Sequence, residues 1–226
     1  MPEAVTHTLS VPARVHGTVL CREPLEERGT APLLVGFHGY GESAERHLAE
    51  LVRIPGTEGW RVAAVQALHP FYTRTQEVVA SWMTRFDREH AIEDNIAYVV
   101  AAIDRLRERN PGGEEGRLVC AGFSQGVAMA YRAAAKLGTR GDRCDGVIAL
   151  GGDVPPEISD RELAGLPVVL LGAGVGEPFY TPGKLNADIV RLRAAGVDAR
   201  PAPFAGGHEW TDEFRAIAGR FLAERL

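Results

Sequence analysis

Short apolar runs alternate with helical patterns along most of the chain. Runs of five to nine residues without polar alternation, mostly closed by glycine, predict strands that are buried on both faces. They are PLLVGFHG, WRVAAVQAL, RLVCAGF, DGVIALGG and LPVVLLGAG, with ARPAPFAGG as a candidate last strand. Alternation of such strands with helices is typical of a parallel sheet covered by helices on both faces. The pattern therefore predicts an α/β fold with a mostly parallel central sheet.

Five segments have apolar residues at helical spacing. The first, AERHLAELVRI, has Ser43 as a candidate N-cap and ends at Pro55, and the second spans residues 90–110 before a stop signal at 110–113. The segment QGVAMAYRAAAKLG ends at Gly138, another opens at Thr181-Pro182, and the last is the C-terminal segment. We expect these helices to cover the two faces of the sheet.

The first 25 residues have a different pattern. Residues 5–11 and 15–21 are β-prone and are separated by Pro12, so they predict an N-terminal hairpin that extends the sheet. The sequence contains no repeat, linker or low-complexity segment. We therefore expect residues 1–226 to form a single domain.

Composition narrows the class of protein. The formal net charge of -5 and the absence of a basic cluster on any predicted helix argue against nucleic-acid binding. Three cysteines without C-x-x-C spacing are poor material for a disulfide framework or a zinc site, and they suit a reducing compartment. No apolar run reaches the roughly 18 residues of a membrane span, and the N-terminus lacks the apolar stretch of a signal peptide. We expect a cytoplasmic protein without a metal.

One serine lies between two glycines where an apolar run gives way to a helix. Ser124 occupies the centre of GFSQG, with Gly122 and Gly126 on either side. A tight turn from strand to helix places a serine hydroxyl at the carboxyl edge of the sheet, and the glycines leave room for that turn. Ser124 is therefore our candidate nucleophile.

A serine nucleophile needs a base and an acid that orients the base. His208, in the loop FAGGHEWTDEF, is the only histidine that follows Ser124. The order serine, acid, histidine favours Glu177, in the loop after LPVVLLGAG, and leaves Asp153 in GGDVPPE as the alternative acid. Asp188 and Asp198 fall on or just after a predicted helix, and we interpret them as solvated surface.

The anion that forms during acyl transfer needs backbone N–H donors. One comes from the residue after the nucleophile, which is Gln125, and the other from a loop after an earlier strand. The glycine-rich FHGYGES follows PLLVG, so its Tyr40 N–H is the second predicted donor.

Several of these motifs together resemble the phospholipase/carboxylesterase family of α/β-hydrolases, which includes acyl-protein thioesterases and small bacterial carboxylesterases. They are FHGYGES, ASWM, CAGFSQGVAMAY, GEPFYTPGKLNADIVRLRAAG and FAGGHEWTDEF, and the resemblance runs from about Pro32 to Leu226. It implies the α/β-hydrolase fold without a large cap domain, with Ser124 as nucleophile and His208 as base. The family usually has an aspartate where this chain has Glu177. The resemblance also places Trp82 in the acyl pocket.

The segment of residues 69–89 is rich in aromatic residues, and with VPPEISDRELAGLP it is predicted to form the walls of the substrate site. Phe71, Tyr72 and Trp82 are the candidate substrate-binding residues. We expect hydrolysis of a small-molecule ester or thioester without a cofactor. A peptidase, a lactone hydrolase and a catalytically silent binding scaffold remain alternatives, and the oligomeric state is left open, a homodimer included.

Overall fold

A computed structural model describes residues 6–25, 30–109 and 116–224 of the chain. Within these ranges the strands are β1 (Val19–Arg22), β2 (Leu33–Phe37), β3 (Arg61–Val65), β4 (His69–Tyr72), β5 (Val78–Ser81), β6 (Leu118–Phe123), β7 (Gly146–Leu150), β8 (Val169–Gly174) and β9 (Ala199–Phe204). The α-helices are α1 (Ala44–Leu51), α2 (Arg88–Arg107), α3 (Gln125–Arg140), α4 (Asp160–Ala164), α5 (Pro182–Ala194) and α6 (Asp212–Ala223). A short 3-10 helix spans Thr57–Gly59.

Seven of these strands form one sheet in the order β1-β3-β2-β6-β7-β8-β9. Every neighbouring pair is parallel except β1 and β3, which are antiparallel. The other two strands, β4 and β5, form a separate antiparallel ribbon between β3 and α2. No separate cap domain covers the sheet in the described ranges. The predicted α/β class and mostly parallel sheet are confirmed.

Burial explains why the central strands are apolar apart from Arg61, the first residue of β3. All residues of β2, β3, β6, β7 and β8 are buried. Successive side chains point to opposite faces, so Val35 packs in a core with α2 and α3, whereas Leu34 packs in a core with α1 and α6. With a helical layer on each face, both sides of every central strand exclude water.

The predicted N-terminal hairpin is wrong over the described residues. Residues 6–18 form no strand and are largely exposed, whereas β1 pairs directly with β3, Val19 opposite Val65. Residue 5 lies outside the described ranges. Leu9 and Val11 are 84% and 78% exposed, so β-prone residues here have no apolar surface to cover. The sheet is extended by one strand rather than by two.

Some helix boundaries also differ from the predictions. Helix α3 continues past Gly138 to Arg140 and is capped by Gly141, whose φ of 81° is the left-handed conformation that glycine favours. Helix α1 ends at Leu51, before Pro55. Helix α2 ends at Arg107, and the predicted stop signal at 110–113 lies outside the described residues.

Besides the 3-10 helix at Thr57–Gly59, two strands and one α-helix were not predicted. Strands β4 and β5 lie in the aromatic-rich segment of residues 69–89, and the short helix α4 lies in VPPEISDRELAGLP. Helix α4 begins with a capping box in which Ser159 and Glu162 bind each other's backbone N–H groups. In the part of the chain that the structure describes, no helix combines the length and apolar character that crossing a bilayer requires.

Candidate active site

Ser124 lies in a sharp turn between β6 and α3, at the carboxyl edge of the sheet. Its φ of 53° and ψ of -120° are unusual for a residue with a side chain. The Ser124 N–H donates to the carbonyl of Leu150 at the end of β7, at 2.9 Å. The neighbouring strand thus holds the turn, and the serine hydroxyl is carried above the sheet.

The two glycines beside Ser124 are required by close packing. A Cβ atom on Gly126 would lie 2.0 Å from the carbonyl oxygen of Phe37, at the end of β2. A Cβ atom on Gly122 would lie 2.5 Å from the carbonyl oxygen of Gly126. Strand β6, the turn and α3 therefore approach one another, and β2, more closely than any side chain allows.

His208 reaches Ser124 from the loop between β9 and α6. Its Nε2 atom lies 2.8 Å from Ser124 Oγ. The imidazole ring packs against two aromatic rings, with its centroid 4.8 Å from that of Phe123 and 5.0 Å from that of Phe179. Gly151 leaves space for this arrangement, because a Cβ atom there would lie 3.1 Å from His208 Nδ1.

Glu177 binds the other nitrogen of the His208 ring. Its Oε2 atom lies 2.6 Å from His208 Nδ1, and its side chain is only 1% exposed. The Oε1 atom accepts the N–H groups of Phe179, at 2.8 Å, and Tyr180, at 3.2 Å. Burial raises the pKa of the Glu177 carboxyl, but the Phe179 N–H, the His208 ring and the Tyr180 N–H together hold that pKa below its usual value.

These contacts determine which ring nitrogen carries the proton. An ionised carboxylate only accepts hydrogen bonds, so His208 Nδ1 must donate to Glu177. In the neutral imidazole, Nε2 then has its lone pair free to accept the Ser124 hydroxyl. The imidazole is thus in the tautomer that a general base for Ser124 requires.

Asp153, the alternative acid, lies elsewhere. Its carboxylate forms an ion pair with Lys184 at 3.1 Å, and its side chain is 49% exposed. Of the two acids weighed from the sequence, the structure brings Glu177 to His208 and leaves Asp153 in a surface ion pair.

The predicted oxyanion donors are Tyr40, after β2, and Gln125, the first residue of α3. Among the described residues, neither backbone N–H has a hydrogen-bond acceptor. The Gln125 side chain is fully engaged: its Oε1 accepts the Trp82 N–H and its Nε2 donates to the Met83 carbonyl, both at 2.9 Å. Gln125 thereby ties the end of β5 to the start of α3.

The placement of Trp82 in an acyl pocket is wrong. Its side chain is 0% exposed and therefore cannot line an open pocket. The indole N–H donates to the carbonyl of His38 at 2.8 Å, and the ring packs edge-on against Phe37. Trp82 supports the chain that leads from β2 to Tyr40, so its contribution is to the position of that loop.

The other two candidate substrate residues lie on the ribbon. Phe71 is partly buried, and its ring centroid is 5.5 Å from that of Tyr40. Tyr72 is 68% exposed and, as the next residue of β4, projects from the opposite face of the ribbon. Phe71 therefore lies beside the Tyr40 loop, and Tyr72 faces away from Phe71.

Asp188 was wrongly interpreted as solvated surface, whereas Asp198 is an exposed partner of Arg200. Asp188 is 8% exposed, and its Oδ2 atom accepts the Val154 N–H at 3.0 Å and the Tyr180 hydroxyl at 2.9 Å. It thus connects the loop after β7 to the loop that holds Glu177. The helical spacing of α5 carried a signal for this burial, because Asp188 stands three residues after Leu185 and four before Leu192, but it did not identify the two partners.

The sheet, the turn at Ser124 and the loops that carry Glu177 and His208 define an α/β-hydrolase fold. No protein-family model matches the chain, and no curated protein matches it. Many solved structures do match the chain. Esterase PE8 has 22% sequence identity and a TM-score of 0.76, covering 94% of this chain and 100% of its own.

Two further structures agree with this assignment. Acyl-protein thioesterase 2 of Zea mays is 16% identical, with a TM-score of 0.67, 93% of this chain covered and 99% of its own. The carboxylesterase of Bacillus cereus is 15% identical, with a TM-score of 0.68, 93% of this chain covered and 95% of its own. At this level of identity the likeness establishes the α/β-hydrolase fold, and the fold expected from the sequence motifs is confirmed.

Proposed function

We propose that the protein is a serine hydrolase that cleaves carboxylic esters or thioesters through an acyl-enzyme intermediate. The observation that carries the proposal is the chain of contacts from Ser124 Oγ to His208 Nε2, at 2.8 Å, and from His208 Nδ1 to Glu177 Oε2, at 2.6 Å. Three elements far apart in sequence converge here, which simple packing does not require. The names of the similar structures, esterase and thioesterase, support the same reaction class.

In the first step, Ser124 Oγ attacks the substrate carbonyl while His208 Nε2 takes the hydroxyl proton. Glu177 accepts the Nδ1–H throughout and stabilises the imidazolium that forms. A glutamate suits this role here because two backbone N–H groups fix its other oxygen. The tetrahedral intermediate then collapses, and His208 returns the proton to the departing alcohol or thiol.

The negative charge on the former carbonyl oxygen would be stabilised by the N–H groups of Gln125 and Tyr40. Both lack an acceptor among the described residues, so each is available without breaking an existing bond. One such donor is worth about 3 kcal/mol of barrier height in enzymes of this type. In the second half of the cycle, His208 activates water, which attacks the acyl-enzyme and releases the acid.

Aromatic residues next to His208 and on the Tyr40 loop support a substrate with an apolar group. Phe179 is 66% exposed and its ring stands edge-on to His208, and Tyr40 is 61% exposed next to Phe71. An apolar acyl or alcohol group would therefore find an uncovered ring beside His208 and another on the loop of the proposed donor Tyr40. We propose Phe71 as a substrate contact through its position beside Tyr40.

Two further assignments belong to this proposal. Ser124, Glu177 and His208 all lie in turns or loops that follow strands of one sheet, which supports residues 1–226 acting as a single domain. The three cysteines, Cys21, Cys120 and Cys144, are free thiols, and this supports a cytoplasmic location, where thiols stay reduced.

The test is steady-state hydrolysis of p-nitrophenyl esters of graded acyl length, with an acyl thioester, a lactone and a peptide anilide measured in parallel. We expect ester and thioester turnover in the wild type. Ser124→Ala should abolish it, and Glu177→Gln should lower kcat by about 10³- to 10⁴-fold, because an amide can hold the wrong tautomer of His208.

Asp153→Asn is the matched control, since it also neutralises a carboxylate in a loop after a strand, and it should retain full activity. Loss of activity in Asp153→Asn with full activity in Glu177→Gln would reverse the assignment of the acid. If a fluorophosphonate failed to label Ser124 in the folded protein, the proposal of an enzyme would be refuted. A binding scaffold would then be the remaining alternative. Turnover of the lactone or anilide alone would move the protein to another hydrolase class.

A further inference from the structure

The turn that carries Tyr40 is held in an unusual way. Strand β2 ends at Phe37, and residues 39–42 fold into a turn in which the Glu42 N–H donates to the Gly39 carbonyl at 3.3 Å. The Gly41 N–H donates to the carbonyl of Ala80 in β5 at 3.0 Å. The Gly39 N–H donates to a side chain, the Oε2 atom of Glu42, at 2.8 Å. Three of four consecutive N–H groups are thus engaged, and the Tyr40 N–H is the exception among the described residues.

The backbone fixes the far side of this turn, next to β5. Besides the Gly41 bond, the Glu42 carbonyl accepts the Ala80 N–H at 2.9 Å. The near side, around Gly39, is anchored by side chains. In the peptide unit between His38 and Gly39, the carbonyl accepts the Trp82 indole N–H and the N–H donates to Glu42 Oε2. In the next unit, which carries the free Tyr40 N–H, the Gly39 carbonyl lies 2.7 Å from His38 Nδ1. Glu42 therefore holds the N–H end of the peptide unit that precedes the free N–H.

The surroundings of Glu42 agree with a positioning task. Its side chain is 17% exposed, and its ion-pair partner Arg46 is 3.6 Å away and 74% exposed, a geometry that contributes little stability. Burial raises the pKa of the Glu42 carboxyl, because the charged carboxylate is less stable there than in water. The packing is close, because a Cβ atom on Gly39 would lie 3.1 Å from Glu42 Oε2 and from a ring carbon of Phe123.

We propose that Glu42 is a positioning residue of the oxyanion site: by accepting the Gly39 N–H, it orients the peptide that follows and aims the Tyr40 N–H at the reacting oxygen. The inference rests on the proposed function of the site. Glu42 does not touch the substrate in this scheme. It acts through the turn, so its removal should affect the transition state more than substrate binding.

The test compares Glu42→Ala with Glu42→Gln in the full chain, using p-nitrophenyl butyrate. In Glu42→Ala the acceptor is lost, and we expect kcat to fall by about 10- to 100-fold with KM within about twofold, less than the loss of a whole donor. In Glu42→Gln the amide oxygen still accepts from Gly39, so kcat should stay within about threefold of the wild type. Arg46→Ala, which removes only the ion-pair partner, should behave as the wild type.

A second readout does not depend on turnover. Amide hydrogen exchange by NMR should show Gly39 protected in the wild type and in Glu42→Gln, and exchanging at least about tenfold faster in Glu42→Ala. Unchanged kcat in Glu42→Ala would overturn the proposal, as would unchanged Gly39 exchange. Equal losses in Glu42→Gln and Glu42→Ala would also overturn it, since charge rather than the hydrogen bond would then matter. A wild type without esterase activity would refute the proposed function, while the exchange data would still decide whether Glu42 holds the turn.

Discussion

The indole N–H of Trp82 donates a 2.8 Å hydrogen bond to the carbonyl oxygen of His38. The bond joins the segment after β5 to the segment after β2, two residues before the proposed oxyanion donor Tyr40. Both partners are buried, with 0% exposure each. A residue that was expected to line the substrate site thus supports the segment that leads to the proposed oxyanion donor.

Replacing this tryptophan tests that role. In Trp82→Phe the ring volume is partly kept but the His38 carbonyl loses its donor, which should lower the free energy of unfolding by about 1–3 kcal/mol. We expect kcat to fall modestly and the preference among p-nitrophenyl esters of different acyl length to remain that of the wild type. Urea unfolding and the ester series measure the two effects. A shifted chain-length preference would return Trp82 to the acyl pocket.

The stability of the protein should depend on pH through Glu177. Because its pKa is held below the ordinary value of 4.5, the ionised carboxylate contributes stability that is fully present above that pH and is lost as pH falls through the folded-state pKa. Glu177→Gln should therefore be less stable than the wild type at pH 7, by about 1–3 kcal/mol. The difference should shrink below pH 4.5, which urea unfolding over a pH series would reveal. A difference that is constant with pH would contradict the prediction.

Asp188 should behave in the opposite sense. Burial and the nearby Asp153 raise its pKa above the ordinary value of 3.8, despite the Val154 N–H, the Tyr180 hydroxyl and Arg191. The stability it contributes is therefore present below that pH and is lost as pH rises through the folded-state pKa. Asp188→Asn keeps an acceptor oxygen without the charge, so its stability relative to the wild type should increase from pH 4 to pH 7 in thermal unfolding.

The matched variant is Asp188→Ala, which leaves the buried Tyr180 hydroxyl and the Val154 N–H without their acceptor. It should lose about 2 kcal/mol or more of unfolding free energy at all pH values. Equal stability of the alanine and asparagine variants would show that the hydrogen bonds to Asp188 contribute nothing.

Gly126 should tolerate no side chain. A methyl group 2.0 Å from the Phe37 carbonyl oxygen would push α3 away from β2, so Gly126→Ala should cost about 3 kcal/mol or more, or prevent folding. Gly59 is the control, because a Cβ atom there meets nothing within 4 Å. Gly59→Ala should change the unfolding free energy by about 0.5 kcal/mol or less. Chemical denaturation and the yield of folded protein compare the two, and similar effects would refute the packing argument.

The sequence predicted most of what local pattern determines. Apolar runs identified the buried strands because a central parallel strand has no polar face. The order and the loops of Ser124, His208 and Glu177 selected three side chains that the structure places in contact. What the pattern missed depends on contacts between distant segments. The residues next to Asp188 and Trp82 in sequence do not indicate which groups these two side chains bind.

The ribbon and Glu42 were missed for different reasons. Strand β4 contains Pro70 and exposed residues, so it lacks the apolar signal of the core strands. Glu42 stands three residues after Gly39 in GYGE, a spacing from which a side chain bond to a turn N–H could have been predicted. The pattern of hydrophobic residues alone does not reveal such a short polar contact.

The backbone at Ser124 has one more consequence. A φ of 53° with a ψ of -120° is tolerated by glycine and costs a serine on the order of 1–3 kcal/mol. A chain selected only to resist unfolding would have glycine at this position, as it has two residues before it and two residues after it. The protein instead retains a serine in a backbone conformation that disfavours any side chain. Its free energy of unfolding is therefore lower than the fold allows, and the hydroxyl oxygen of Ser124 is what it gains in return.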